Sequence, residues 1–238
     1  MAVAVVCLSA CFRLYSQLSS LNISTFIHHQ VKAPDTLPTI RSYKLCLQWP
    51  PAACNGTLTC KPPIPPNFTI HGLWPPHCKK KPTPYNLSKI LRPIEEELKS
   101  QWPNLIDGKN LTANYEFWKY EWEKHGPCSD YPDDPLTYFK SALKLRLDIK
   151  TIVRFERQES RTVQQVADEV FYNLNAYPQI VCNINPKSTQ KQLWEIRLCY
   201  DRLNSGQPPY RLINCTKILT KGEKKNRCEN LNDTIFYP

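Results

Sequence analysis

Glu121, Lys124 and His125 fall within about one turn of a predicted helix, and Trp118, Glu121, Trp122 and His125 recur at the spacing of one helix face. Glu121 and His125 can meet across that turn. A carboxylate, an ammonium and an imidazole held so close suit acid–base work. The plainer reading is a surface face with an ion pair. Gly126-Pro127 predicts the helix end, with Gly126 free to turn left-handed and Pro127 unable to continue. His125 then lies in the last turn, where the negative end of the helix favours a protonated ring.

A second imidazole changes the reading. His71 ends the alternating run Phe68-Thr69-Ile70-His71, on the side away from Phe68 and Ile70, and Gly72 follows it. Two imidazoles, a carboxylate and a lysine can together cleave, without a metal, a phosphodiester that carries its own nucleophile. RNA is such a substrate, through its 2′-hydroxyl. One ring would take the hydroxyl proton and the other would protonate the departing 5′ oxygen. Lys124 would stabilise charge on the phosphorus oxygens. The first product would be a 2′,3′-cyclic phosphate, and the ring pair would work best below neutral pH.

The residues alone leave open which ring is the base. They also admit a zinc site of His71, Glu121 and His125 with water in the fourth position, where the adjacent Lys124 would repel the cation. Trp74, Trp49, Phe117 and Tyr120 can stack on bases or fill the core, whereas Trp118 and Trp122 suit the core. His77 sits in a loop near Lys79-Lys80-Lys81. His28 and His29 precede the folded part and take no role.

The elements that position these groups read as follows. The chain has 238 residues, 41% of them hydrophobic, which suits one domain of about 200 residues with a full core. Tyr43 to Trp49 alternates as a strand, ended by Pro50-Pro51, and Cys54 and Cys60 bracket an Asn-Gly turn. Leu87, Leu91, Ile94 and Leu98 form a helical stripe with a kink or boundary at Pro93. A helix over Phe117 to His125 follows. Leu136, Phe139, Leu143 and Leu147 make another stripe, opened by Asp133-Asp134-Pro135. Val163, Val166, Val170, Phe171 and Leu174 make a fourth. Leu193 to Tyr200 and Tyr210 to Leu219 read as strands around a turn at Asn204-Ser205-Gly206. Helices and late sequential strands predict an α+β fold with an antiparallel sheet packed against helices.

The 22 Pro residues, clustered at Lys61 to Pro66 and Trp74 to Pro84, predict long ordered loops. The net charge of +10 fits a polyanion substrate, a polyanion ligand or an anionic surface. The runs Lys79-Lys80-Lys81 and Lys221 to Arg227 are as compatible with a solvated face. Eleven Cys, and Asn-x-Ser/Thr sequons at Asn22, Asn55, Asn67, Asn86, Asn110, Asn214 and Asn232, predict an oxidising, glycosylating secretory route. Ala2 to Phe12 is apolar and uncharged, as in the core of a signal peptide, although a positive start is missing. Residues 1–25 are therefore expected to be a signal peptide, cut between Ala10 and Thr25, and residues 26–238 a single domain. Cleavage would discard Cys7 and Cys11. The product should be extracellular, without a membrane anchor.

Phe68-Thr69-Ile70-His71-Gly72-Leu73-Trp74-Pro75 resembles the first active-site segment of the ribonuclease T2 family. Glu121-Trp122-Glu123-Lys124-His125-Gly126-Pro127-Cys128 resembles the second. The resemblance runs from Tyr43, through Gln48-Trp49-Pro50-Pro51, to the C-terminus. It implies the family's α+β fold and endonucleolytic cleavage of single-stranded RNA with no metal and no cofactor. It also implies His125 as general base and His71 as general acid, with Glu121 and Lys124 stabilising the pentacovalent phosphate. Trp74 would hold a base, and Gln48 and Phe117 match second-base positions of some plant members. Tyr120 stands where other members have a third histidine, a departure that bears on substrate affinity. Pro127 replaces the more usual threonine.

The resemblance further implies disulfides Cys54–Cys60, Cys78–Cys128, Cys182–Cys228 and Cys199–Cys215, one arrangement out of the 105 that eight cysteines allow. Cys46 is left as a buried free thiol. Within the family, the basic balance, dense sequons and short Pro-rich loops are most similar to pistil S-RNases of self-incompatibility, whose partner would be a pollen F-box protein. The alternatives are an S-like ribonuclease of phosphate recycling or defence, and a secreted recognition glycoprotein without activity. The intact His71, Glu121, Lys124 and His125 count against the last. A monomer is expected, since no amphipathic stripe is left over.

Overall fold

A computed structural model describes residues 42–56, 58–76, 80–149, 152–154, 156–201, 209–219 and 226–238. The expected signal peptide, Asn22, His28, His29, His77, Cys78, Lys79, the expected turn at Asn204 and most of the Lys221 run lie outside them. Strand β1 (Tyr43–Gln48) leads into helix α1 (Pro50–Gly56), then β2 (Thr69–Trp74). Helices α2 (Leu87–Ile90), α3 (Glu95–Gln101), α4 (Leu111–His125) and α5 (Pro135–Leu147) come next. The chain ends in β3 (Glu159–Thr162), α6 (Val163–Leu174), β4 (Gln179–Ile184), β5 (Lys191–Asp201), β6 (Arg211–Ile213) and β7 (Thr234–Tyr237). The strands form a seven-stranded sheet in the order β2-β1-β5-β7-β3, with β4 and β6 also paired to β5. Among the described residues every pairing is antiparallel except β5 with β7. This is the expected α+β fold.

Several elements differ from expectation. The Pro50-Pro51 pair ends β1 but also opens α1, a helix not predicted, because proline is tolerated where the first helical N–H groups have no partner. The stripe from Leu87 to Leu98 divides at the expected boundary, Pro93, into α2, a 3-10 turn over Arg92–Ile94, and α3. Phe139 and Leu143 face the core as expected, joined by Tyr138, Ala142 and Leu145, whereas Leu147 is 55% exposed. Helix α4 starts earlier than Phe117 because Asn110 caps it, accepting from the Ala113 amide. Gly126 is right-handed, and the chain runs on through a 3-10 turn to Cys128. A Cβ on Gly126 would strike the Trp122 ring, so close packing, not a left-handed turn, calls for glycine there.

The core lies between the sheet and α3 to α6, with Trp102, Trp118, Trp122, Tyr138 and Phe139 its largest members. Trp49 also belongs to the core, stacked on Tyr237 at 4.4 Å with its Nε1 donating to the Pro238 carbonyl. Disulfides Cys54–Cys60, Cys182–Cys228 and Cys199–Cys215 are formed, Cys128 is disulfide-bonded, and Cys46 is a buried free thiol. No helix among the described residues is long and apolar enough to cross a membrane.

Candidate active site

Side-chain alternation splits the sheet into two faces. Tyr43, Leu45 and Leu47 pair with Tyr200, Leu198 and Ile196 on the core face. Lys44, Cys46 and Gln48 pair with Cys199, Arg197 and Glu195 on the other face. Between β1 and β2 the register shifts: Leu47 opposes Ile70, Cys46 opposes Gly72, and His71 is the extra residue. His71 is therefore a bulge residue, and bulges re-aim side chains beside active sites. Aromatic donors hold this segment in place. Trp102 Nε1 donates to the His71 carbonyl, Trp118 Nε1 to the Trp102 carbonyl, and Tyr138 Oη to the Leu73 carbonyl.

The bulge brings His71 to the residues of α4. The Trp74 ring lies edge-on to His71 at 5.4 Å and stacks on His125 at 5.3 Å. Trp74 Nε1 donates to Glu121 Oε2 at 3.2 Å, and that oxygen lies 3.8 Å from His125 Nε2. The two rings thus flank one indole, with a buried carboxylate between them. Gly72 leaves room for this, since a Cβ there would meet both Trp74 Nε1 and Glu121 Oε2. A cavity of about 400 Å³ is lined by Lys44, Trp74, Lys124 and His125, with Ser42, Pro75, Pro76 and Cys128. Lys124 donates to Tyr120 Oη at 3.1 Å, and the Tyr120 ring is 55% exposed.

Four predicted site residues, His71, Glu121, Gln48 and Phe117, do not line that cavity. Gln48 is only 4% exposed, and Phe117 is half-buried against the core. Two others were not predicted. Glu195, fully buried on β5, accepts from His71 Nδ1 through Oε1 at 2.6 Å and from Arg197 Nε through Oε2 at 2.9 Å. Arg197 in turn donates to Gln179 Oε1 and sits 4.9 Å over the Trp74 ring. Lys44 also donates to Gln179 Oε1. Among the described residues, no three His, Cys, Asp or Glu side chains gather as a metal-holding group.

The electrostatics set the two imidazoles apart. Burial disfavours a charged His71, but the Glu195 carboxylate outweighs it and raises the His71 pKa above 6.5. Burial pulls His125 down to about 3, with Lys124 and His71 adding to the effect. The expectation that the helix end keeps His125 protonated is thus overturned: desolvation and two neighbouring cations outweigh a terminal dipole. Burial raises Glu121, opposed by His71, the Trp74 hydrogen bond and Lys124. Glu195 is held down at about 2, since His71 and Arg197 overcome its burial.

The chain is similar to known proteins. Ribonuclease S-6 of Nicotiana alata is 33% identical over 170 residues, covering 66% of this chain and 75% of that protein. Ribonuclease MC of Momordica charantia is 28% identical over 191 residues, covering 74% and 94%. The crystal structure of Japanese pear S3-RNase superposes with a TM-score of 0.66 at 26% identity, covering 83% of this chain and all of that one. The profile of the Ribonuclease T2 family matches residues 41–215. A match of that extent, on a fold shared with solved ribonucleases, makes this chain a member of the ribonuclease T2 family and a T2-type endoribonuclease.

Proposed function

We propose that the protein cleaves single-stranded RNA by metal-free transphosphorylation through a 2′,3′-cyclic phosphate. His125 takes the proton of the 2′-hydroxyl, and His71 protonates the departing 5′ oxygen. Glu121 and Lys124 stabilise the pentacovalent phosphate. One observation supports this assignment above the others: the opposite bias of the two rings. Burial biases His125 toward the neutral form, with Nε2 hydrogen-bonded to none of the described residues, while Glu195 biases His71 toward the charged form. Trp74 would hold one base at the cavity wall, and Gln48 and Phe117 would contact a second.

The test is digestion of a single-stranded RNA by the purified chain and by His125→Ala. The expected results are a cyclic phosphate product, activity insensitive to chelator, and loss of activity in the variant. Unchanged activity in His125→Ala removes the mechanism.

We further propose secretion after removal of residues 1–25, action as a monomer, and a role as a style S-RNase met by a pollen F-box protein. Similarity to ribonucleases S-6 and S-7 of Nicotiana alata and S-3, S-4 and S-6 of Pyrus pyrifolia supports this role. So does the charge of +10. Asn55, Asn67, Asn86, Asn110, Asn214 and Asn232 are all exposed and are the proposed glycan sites. Asn86, Asn110 and Asn214 accept backbone hydrogen bonds through Oδ1, which leaves Nδ2 for a glycan. Similarity to Ribonuclease MC and to Ribonuclease 1 of Arabidopsis thaliana favours a second reading, an S-like enzyme of phosphate recycling or defence. Expression confined to the style supports the first reading, and induction in root or leaf under phosphate starvation the second.

A further inference from the structure

We infer that Glu195 is a positioning residue that fixes His71 as the proton donor to the leaving oxygen; the inference rests on the reading of His71 as general acid. The argument starts from geometry. Glu195 has no exposed surface, and both its oxygens are engaged, Oε1 with His71 Nδ1 and Oε2 with Arg197 Nε. An ionised carboxylate only accepts, so Nδ1 must carry a hydrogen. The ring can then gain or lose its second proton only at Nε2. Arg197 is itself held by Gln179 from β4 and by the face of Trp74. The carboxylate therefore has one place to sit, and the imidazole one orientation.

The step balances as follows. The 2′ oxygen bonds to phosphorus, and its proton passes to His125. The bond from phosphorus to the 5′ oxygen breaks, and that oxygen takes the Nε2 proton of His71. Glu195 neither gains nor loses a proton. It stays ionised beside the ring and keeps the Nδ1–H bond throughout, which matches its depressed pKa. The groups facing His71 are Glu195 and Arg197 from β5 and Glu121 and His125 from α4. Of the two carboxylates, only Glu195 bonds to the ring.

The experiment compares pH profiles of kcat/KM on a dinucleotide for the intact chain, Glu195→Gln, Glu195→Asp and His71→Ala. Glutamine keeps the shape of the site and removes the charge. The alkaline limb should move down by about one to three pH units in Glu195→Gln, the effect of losing one close opposite charge. Glu195→Asp should fall between. On a nitrophenyl phosphodiester, whose phenolate departs without a proton, the deficits of Glu195→Gln and His71→Ala should both shrink. Coincident alkaline limbs overturn the inference. If His71→Ala keeps full dinucleotide activity, the reading of His71 as acid fails instead. Should Glu195→Gln not fold, an NMR titration of the His71 ring in the intact chain decides. A neutral ring protonated at Nδ1 supports the inference, and one protonated at Nε2 overturns it.

Discussion

Replacing Gly72 with alanine puts the smallest side chain in a place the site cannot give up. The new Cβ would lie against Trp74 Nε1 and Glu121 Oε2, with Trp74 Cδ1 at 2.9 Å. All three atoms belong to the group that joins the two imidazoles. The backbone cannot retreat, because Gly72 is in register with Cys46 on β1. Either the indole rotates away and its bond to Glu121 is lost, or the bulge at His71 shifts. Overpacking of this kind costs about 1–3 kcal/mol, which lowers Tm by about 2–12 °C in a domain of this size. A displacement of about 1 Å at the reacting groups costs about a hundredfold in rate. Kinetics on a dinucleotide and a thermal melt, run on the same preparation, test both. A variant with the Tm and kcat/KM of the parent refutes the reasoning, and so does one that melts early yet cleaves at the parent rate.

Other outcomes are expected. Lys124→Ala should lower kcat by about 10²–10³, as when one transition-state donor is removed, with Tm unchanged because Lys124 is exposed. Trp118→Ala should cost about 3–5 kcal/mol in a urea melt, since it empties a fully buried site and frees the Trp102 carbonyl. The His71–Glu195 pair should make stability depend on pH in both directions. His71 is raised, so its contribution is complete below pH about 6.5 and is lost as pH climbs through the folded value. Glu195 is depressed to about 2 from 4.5, so its contribution is present above 4.5 and is lost as pH falls towards 2. The Tm difference between the intact chain and Glu195→Gln should be greatest between pH 4.5 and 6.5, and a difference that does not vary with pH refutes the linkage.

The site was only partly legible in the sequence. His125, Lys124 and Glu121 could be read because helical spacing is local and regular. His71 could be read as a strand residue, but its bulge could not, since Thr69-Ile70-His71 alternates in the same way with or without an extra residue. Glu195 lies 124 positions from His71. In Trp194-Glu195-Ile196-Arg197-Leu198 the charges alternate with apolar residues as they would on a solvent-facing strand. Only the strands and α4 around it show that this face is buried. Strands β3 and β7 escaped for related reasons: β3 is polar and four residues long, and β7 is a four-residue piece near the C-terminus. The fate of Trp49 depended on Tyr237, which no local pattern connects to it.

Cys46 turns this arrangement into a built-in probe. Its thiol is buried on the charged face of the sheet, next in register to Gly72 on one side and Arg197 on the other. Burial pushes its pKa well above 9.0, so alkylating reagents meet an inert thiol while the strands stay shut. The rate at which a reagent marks the peptide containing Cys46 therefore counts how often β1 parts from its neighbours. A bound nucleotide that braces the cleft should slow that clock, which offers a readout of occupancy that needs no turnover.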